Sequence, residues 1–434
     1  MSESPAESEW VIMFRNVTSI ILLATVLLTC ACLPTGFLRS KDILQHKNIT
    51  DFTVEGKVIY FGAGYNLYRL HLRSRSVERV FETNRIFVEQ PLIQDGVAYF
   101  GGNGWVDNKG VFGESDSFVA LDLHSGEVLW KFPLGHDGYG TYGTYPVVAG
   151  DRILVCARQH LHCIDRTTGT ELWKVDNWLG ADSDGINIPY VHDGLVYYKI
   201  GEEYFTQSDV NDGHWAVVSL ADGQRVGLIP VAERPGIFED TSGNGVGVLA
   251  GGIVYGATRY SNFPTSRVGA LDLKARKLLW EVQGSAGSKM QPAINDKYVF
   301  TGGADSIQAL DRETGKVAWS NPLGEITEFG IDRSTDRRRW DFENEYSRRF
   351  TATNEVVVTR GSQGIAARVA DTGKLMWFAK IPSSRGDAAP LILDQIVLVS
   401  SAKDCAILAF DLKRGNELWR ASVPNCTYYT LLDD

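Results

Sequence analysis

A surplus of basic residues is missing from this 434-residue chain: 43 Lys and Arg stand against 53 Asp and Glu, for a net charge of −10. Nucleic-acid binding draws on a positive footprint that displaces counterions from phosphates, so this balance excludes general affinity for DNA or RNA. Several chemical signatures are missing as well. No glycine-rich loop follows a strand and opens a helix, and no Gly-x-Ser-x-Gly elbow occurs, so nucleotide-binding and hydrolase readings have no positive support. Cysteine is sparse at six, no Cys-x-x-Cys pair recurs, and the eight His do not sit at ligand spacing, which removes support for a zinc site. His160 and His162 alternate along one strand and share a face, yet two imidazoles without a third ligand do not make a metal site. There is no low-complexity tract. With 44% hydrophobic residues and ample glycine, the chain can bury a large core as one radial domain.

What the chain does have is a recurring phrase. Trp130, Trp173, Trp280, Trp319, Trp377 and Trp419 close VALDLHSGEVLW, HCIDRTTGTELW, GALDLKARKLLW, QALDRETGKVAW, ARVADTGKLMW and LAFDLKRGNELW. A small or apolar strand ends at an Asp, a turn follows, and a second strand brings in the Trp. Asp bonds its own backbone in a tight turn and Gly accepts positive φ without steric cost, so each phrase reads as a β-hairpin. Upstream of each lies another pair of short strands, such as QPAIND with KYVFTGG, giving four strands over roughly forty residues, the size of a propeller blade. Six clear copies span 90–135, 145–177, 245–284, 291–324, 350–382 and 389–425. Two degenerate copies span 188–231, where Gly227 stands in the Trp position, and 52–84, which lacks both the turn glycine and the Trp. The expectation is an all-β, eight-bladed β-propeller of four-stranded antiparallel blades, with seven as the fallback if the first copy does not close. Large aromatics at a fixed place in a repeat fill the seam between units, so the six tryptophans are read as blade packing.

The N-terminus is apolar and uncharged from Val17 to Leu33, preceded by Arg15, with Met1 or Met13 as the start. That pattern is an export or anchoring signal. Residues 1–39 are assigned to a signal peptide or a membrane or lipid anchor, and 40–434 to the propeller. Cys30 and Cys32 are lipidation candidates, with a signal anchor or simple cleavage as alternatives, and all three place the propeller outside the cytoplasm. The other four cysteines fall into two hairpins, so Cys156–Cys163 and Cys405–Cys426 are disulfide candidates in an oxidising compartment.

The Trp-closed phrase resembles the pyrroloquinoline-quinone-like β-propeller repeat over essentially everything after residue 50. The resemblance implies one of two roles. One branch comprises quinoprotein alcohol dehydrogenases, with the quinone and calcium at the centre of eight blades and an adjacent Cys-Cys disulfide beside the cofactor. The other comprises non-enzymatic propellers such as the lipoprotein of the bacterial outer-membrane protein assembly machine. This chain has no adjacent Cys pair and is short for the enzyme branch, although Glu202, Glu203, Asp209, Glu239 and Asp240 are available carboxylates. Fold alone does not select a function. The leading expectation is an exported, membrane-anchored, monomeric scaffold that binds a protein partner and needs no cofactor. The alternatives are a quinone- and calcium-dependent dehydrogenase and a ligand- or glycan-binding propeller.

Topology locates the partner face. In a four-stranded antiparallel blade, the loop between second and third strands and the loop between blades leave from one face. The long segments 102–117, 201–215 and 259–267 are of the first kind, and 135–144, 177–187, 232–244 and 325–349 of the second. Insertions gathered on one side of a repeat array mark a binding side. Within them, Arg337, Arg338 and Arg339 precede Trp340, Phe342 and Tyr346, residue types enriched at interface hot spots. Tyr139 and Tyr142, in an aromatic glycine-rich loop, are further candidates for a partner or for a small ligand at the channel mouth.

Overall fold

The computed structural model describes residues 43–47, 49–64, 66–83, 91–102, 117–134, 146–157, 160–176, 189–200, 214–230, 247–259, 266–284, 291–302, 306–322, 350–361, 364–381 and 388–431. These residues form eight four-stranded sheets, each built from four consecutive antiparallel strands. We number them blade 1 (53–82), blade 2 (92–133), blade 3 (147–176), blade 4 (190–230), blade 5 (248–283), blade 6 (293–322), blade 7 (350–380) and blade 8 (391–422). Both degenerate copies are complete blades, and the count is eight.

The first strand of each blade is short, for example Thr53–Glu55 and Leu391–Leu393, and first strands of neighbouring blades lie against one another. They are therefore the inner ring, and the fourth strands form the rim. Turns between first and second strands use residues that tolerate positive φ: Asp95 and Gly96 at 53° and 74°, Asp193 and Gly194 at 49° and 74°. Two left-handed residues give a turn whose twist matches the flanking strands. Between third and fourth strands every blade carries a register shift, at Ala120/Leu121 in blade 2 and Ala309/Leu310 in blade 6 among others. The extra residue increases local twist, as a radial blade requires.

The core lies between blades rather than within them. Tyr99, Phe118, Trp130 and Phe132 of blade 2 pack on Ile153, Val155 and Ile164 of blade 3, and each seam repeats the scheme. Ring closure follows the same rule, since Ile59, Phe61, Tyr68 and Leu70 of blade 1 pack with Leu398, Ile407, Ala409 and Ala421 of blade 8. Polar links reinforce that closure: the Tyr68 hydroxyl donates to the Pro424 carbonyl, and the Ala389 amide donates to Asp51 Oδ1 at 2.7 Å.

Two compact units emerge, Met1–Gln45 with Tyr429–Asp434, and His46–Tyr428, the latter containing all eight blades. Ile43–Lys47 and Thr427–Leu431 pair as a two-stranded sheet. Among the described residues no helix is long and apolar enough to cross a membrane, and the apolar stretch 17–33 with Cys30 and Cys32 lies outside them.

Candidate functional site

Five of the six tryptophans of the repeat reach into the next blade and meet two features of its turn. Trp130 Nε1 donates to the Arg166 carbonyl at 3.0 Å, Trp173 to Leu220 at 3.1 Å, Trp280 to Arg312 at 3.1 Å, Trp319 to Ala370 at 2.8 Å and Trp377 to Leu412 at 2.8 Å. The same five indoles lie flat on the positive-φ turn glycine of that blade: Gly169, Gly223, Gly315, Gly373 and Gly415. A Cβ at Gly169 would fall 2.6 Å from Trp130, so glycine is required there both for φ of 71° and for the indole's close approach. The turn Asp completes the unit. Asp165 Oδ1 accepts from the Thr167 and Thr168 amides at 3.0 and 2.8 Å, and these bonds hold its carboxyl below the usual carboxylate range.

Three seams depart from this scheme, and sequence reading missed the pairing in them. Between blades 1 and 2 there is no Trp: Arg79, at the matching sequence offset, pairs with Tyr68 on the face toward blade 8, Phe81 packs toward Phe100 of blade 2 with ring centroids 6.3 Å apart, and a Cβ at Gly126 would meet nothing within 4 Å. Between blades 4 and 5 the Trp position holds Gly227, while the turn position holds Arg276 at φ 52°. The two changes compensate, because Arg276 Nη1 lies 3.3 Å from where a Gly227 Cβ would stand. At ring closure Trp419 meets Arg75, whose guanidinium carbon lies 5.9 Å from the ring centroid in a cation–π contact. A search for deviations at both partner positions of the repeat would have found all three.

The cysteines divide. Cys405 and Cys426 are joined in a disulfide. Cys156 and Cys163 are both free, which corrects the expected bridge. The physical reason is register: Cys156 opposes Leu161 and Cys163 opposes Leu154, so the two are diagonal neighbours rather than a facing pair. Burial pushes the Cys156 thiol far up and that of Cys163 up to about 11, leaving both unreactive as nucleophiles.

His160 and His162 do share a face, with ring centroids 5.8 Å apart. His162 Nδ1 lies 2.7 Å from Glu171 Oε1 and its ring stands edge-on to Phe132 at 5.3 Å. Burial keeps its pKa below the usual imidazole value despite the carboxylate. Among the described residues, no three His, Cys, Asp or Glu side chains are arranged to hold a metal ion. Sequence reading also missed Arg360, 3% exposed in blade 7, which donates to the Ser400 carbonyl of blade 8.

The long connections leave from strand ends on one face: Gly102 to Ser117, Ile200 to His214, Pro133 to Val147, Asp176 to Tyr190, Pro230 to Val248 and Pro322 to Phe350. Connections on the other face are short throughout, such as Gln94 to Val97 and Asp122 to Val128. Tyr139, Tyr142, Arg337, Arg338, Arg339, Trp340, Phe342 and Tyr346 lie outside the described residues, as do Glu202, Glu203, Asp209, Glu239 and Asp240.

Comparison with known proteins agrees with this architecture. The crystal structure of BamB from Moraxella catarrhalis superposes with a TM-score of 0.54 at 14% identity, covering 83% of this chain and 96% of that one. A computationally designed protein, Ika8, gives 0.54 at 15% identity over 86% and 95% of the two chains, and the Dos1 propeller 0.54 at 13% over 82% and 91%. At these identities the likeness establishes the fold alone. A tetrathionate hydrolase of Acidithiobacillus ferrooxidans is 24% identical over 233 residues, half of this chain, which spans 43% of that protein's length. The family model described as outer membrane protein assembly factor BamB matches residues 114–248, 264–328 and 324–429, more than half of the chain, and the protein belongs to that family.

Proposed function

We propose that this protein is an exported, membrane-anchored scaffold that holds a protein partner on the face carrying the long connections. The observation that carries the reading is the asymmetry between faces: every extended connection leaves from one side, above a ring whose seams are fixed by indole-to-carbonyl bonds. Rigid blades with variable loops on one face suit recognition rather than bond making. Family membership supports the same role, since the family is described by a factor of outer membrane protein assembly. Export is supported by the uncharged stretch 17–33 and by a disulfide between Cys405 and Cys426. Arg337, Arg338, Arg339, Trp340, Phe342 and Tyr346 are the contact residues of this proposal, with Tyr139 and Tyr142 as further candidates.

A catalytic reading draws on the hydrolase relative, matched over half of this chain. The carboxylates that a calcium site would draw on in that reading, Glu202, Glu203, Asp209, Glu239 and Asp240, lie outside the described residues. Isothermal titration of the full chain with pyrroloquinoline quinone and calcium, followed by dye-linked alcohol oxidation, separates the quinone enzyme from the scaffold. The scaffold reading expects neither heat nor turnover; saturable heat with turnover would overturn it.

A further inference from the structure

Seven of the eight seams lie between blades that follow one another in the chain, so a peptide connection crosses each of them. The eighth joins blade 8 to blade 1. Every blade is built from its own four consecutive strands, so no strand is shared across that seam. What spans it is the segment just after blade 8. The Val423 amide donates to the Cys405 carbonyl at 2.7 Å, which turns the chain back over the end of blade 8. The next carbonyl, of Pro424, accepts from the Tyr68 hydroxyl of blade 1. Val423 and Cys426 are buried in one core with Ile49, Phe61 and Tyr68 on the blade 1 side and Leu398 and Ala402 of blade 8. Cys426 is then bonded to Cys405, in the turn between the second and third strands of blade 8. Residues 423–426 are therefore a strap: a covalent bond fastens it to blade 8, and a hydrogen bond and buried side chains fasten it to blade 1.

The two sulfurs of the fastening differ in access. Cys426 is fully buried, whereas Cys405 is half-buried in a turn beside exposed Lys403 and Asp404. A thiolate arriving from solvent meets Cys405 first. Its attack forms a mixed disulfide at Cys405, breaks the bond to Cys426 and leaves the electron pair on the Cys426 sulfur. The second sulfur of a dithiol then displaces Cys405. The dithiol ends as its own disulfide, and its two protons end on the thiols of Cys405 and Cys426. Once the bond is gone, the order of the strap rests on its hydrogen bonds and burial alone, and local opening becomes easier there than at the seams a peptide connection crosses.

We propose that Cys405–Cys426 is a redox latch on ring closure, opened at the Cys405 sulfur by a dithiol reductant, and that its reduction loosens the seam between blades 8 and 1 selectively. The latch is independent of the face of the long connections and of any partner held there.

Hydrogen exchange of the full chain, followed by mass spectrometry with and without dithiothreitol, tests this. Reduction should speed exchange at least about tenfold in residues 49–52, 388–393 and 420–426, and leave 195–200 in blade 4 and 253–256 in blade 5 unchanged. Cys405→Ser combined with Cys426→Ser should show the reduced pattern without reductant, and reoxidation of the parent protein should restore slow exchange, which separates opening from misfolding. Access is read with single variants and an aromatic disulfide reagent: Cys405 in Cys426→Ser should be labelled in the folded protein, and Cys426 in Cys405→Ser should not. Unchanged exchange at the blade 8–blade 1 seam, equal acceleration in blades 4 and 5, or labelling of Cys426 in preference to Cys405 would overturn the proposal.

Discussion

Two glycines with nearly the same backbone conformation should respond very differently to the same methyl group. Gly126 and Gly169 occupy the same turn position in blades 2 and 3, with φ of 74° and 71°. A Cβ at Gly126 meets nothing within 4 Å, whereas one at Gly169 falls 2.6 Å from two Trp130 ring atoms. Alanine in the left-handed region costs about 1–2 kcal/mol at either site. The gain from a stiffer unfolded chain, about 0.4–1 kcal/mol, is common to both and cancels in the comparison. Overpacking against a fixed indole adds about 1–3 kcal/mol at Gly169 only. Gly169→Ala should therefore lower stability by that further amount relative to Gly126→Ala, measured by guanidinium unfolding of the two variants side by side. The double variant sharpens the test. In a Trp130→Ala background, itself costing about 3–5 kcal/mol, the excess penalty at Gly169 should vanish, a coupling of about 1–3 kcal/mol. Equal losses at Gly126 and Gly169, or an excess that survives removal of Trp130, would refute the indole-on-glycine account of the seams.

Three further outcomes are expected. Replacing Cys405 and Cys426 by Ser opens a loop of sequence separation 21 and should cost about 3 kcal/mol in the chain-entropy treatment, read as a lower unfolding midpoint that reducing agent reproduces in the parent protein. His162 is held below its ordinary pKa chiefly by burial, so the unfolded chain takes up its proton first; stability is full above the unfolded value of about 6.5 and declines as pH falls through it toward the lower folded value. His162→Gln should flatten that part of the stability profile, and an unchanged slope would count against this assignment. Cys156 and Cys163 should resist alkylation in the native protein at pH 8 and react only on unfolding, as mass spectrometry after a brief iodoacetamide pulse would show.

The architecture was legible because it repeats. Asp, turn and Trp at matched offsets announced each hairpin, and even the degenerate blades kept their strand alternation, so Val58–Ala63 and Leu195–Ile200 form where the spacing put them. What escaped is pairwise. Gly227 reads as a simple loss of Trp, and Arg276 as one more basic residue, until the structure places the guanidinium over the glycine. The free pair Cys156 and Cys163 escaped for a related reason: two cysteines near one turn look opposed, and only the register shows them displaced by one pleat. Residues such as Trp340 stand outside the repeat's periodicity, and composition alone marked them.

The central claim concerns which face binds. A photoreactive amino acid placed at Trp340, and in a separate variant at Ser125 in a short turn of the opposite face, should be expressed in the native host and irradiated. The account predicts a discrete protein adduct from position 340 that Arg337→Glu, Arg338→Glu and Arg339→Glu together abolish, and none from position 125. A specific adduct from position 125 with none from 340 would contradict it.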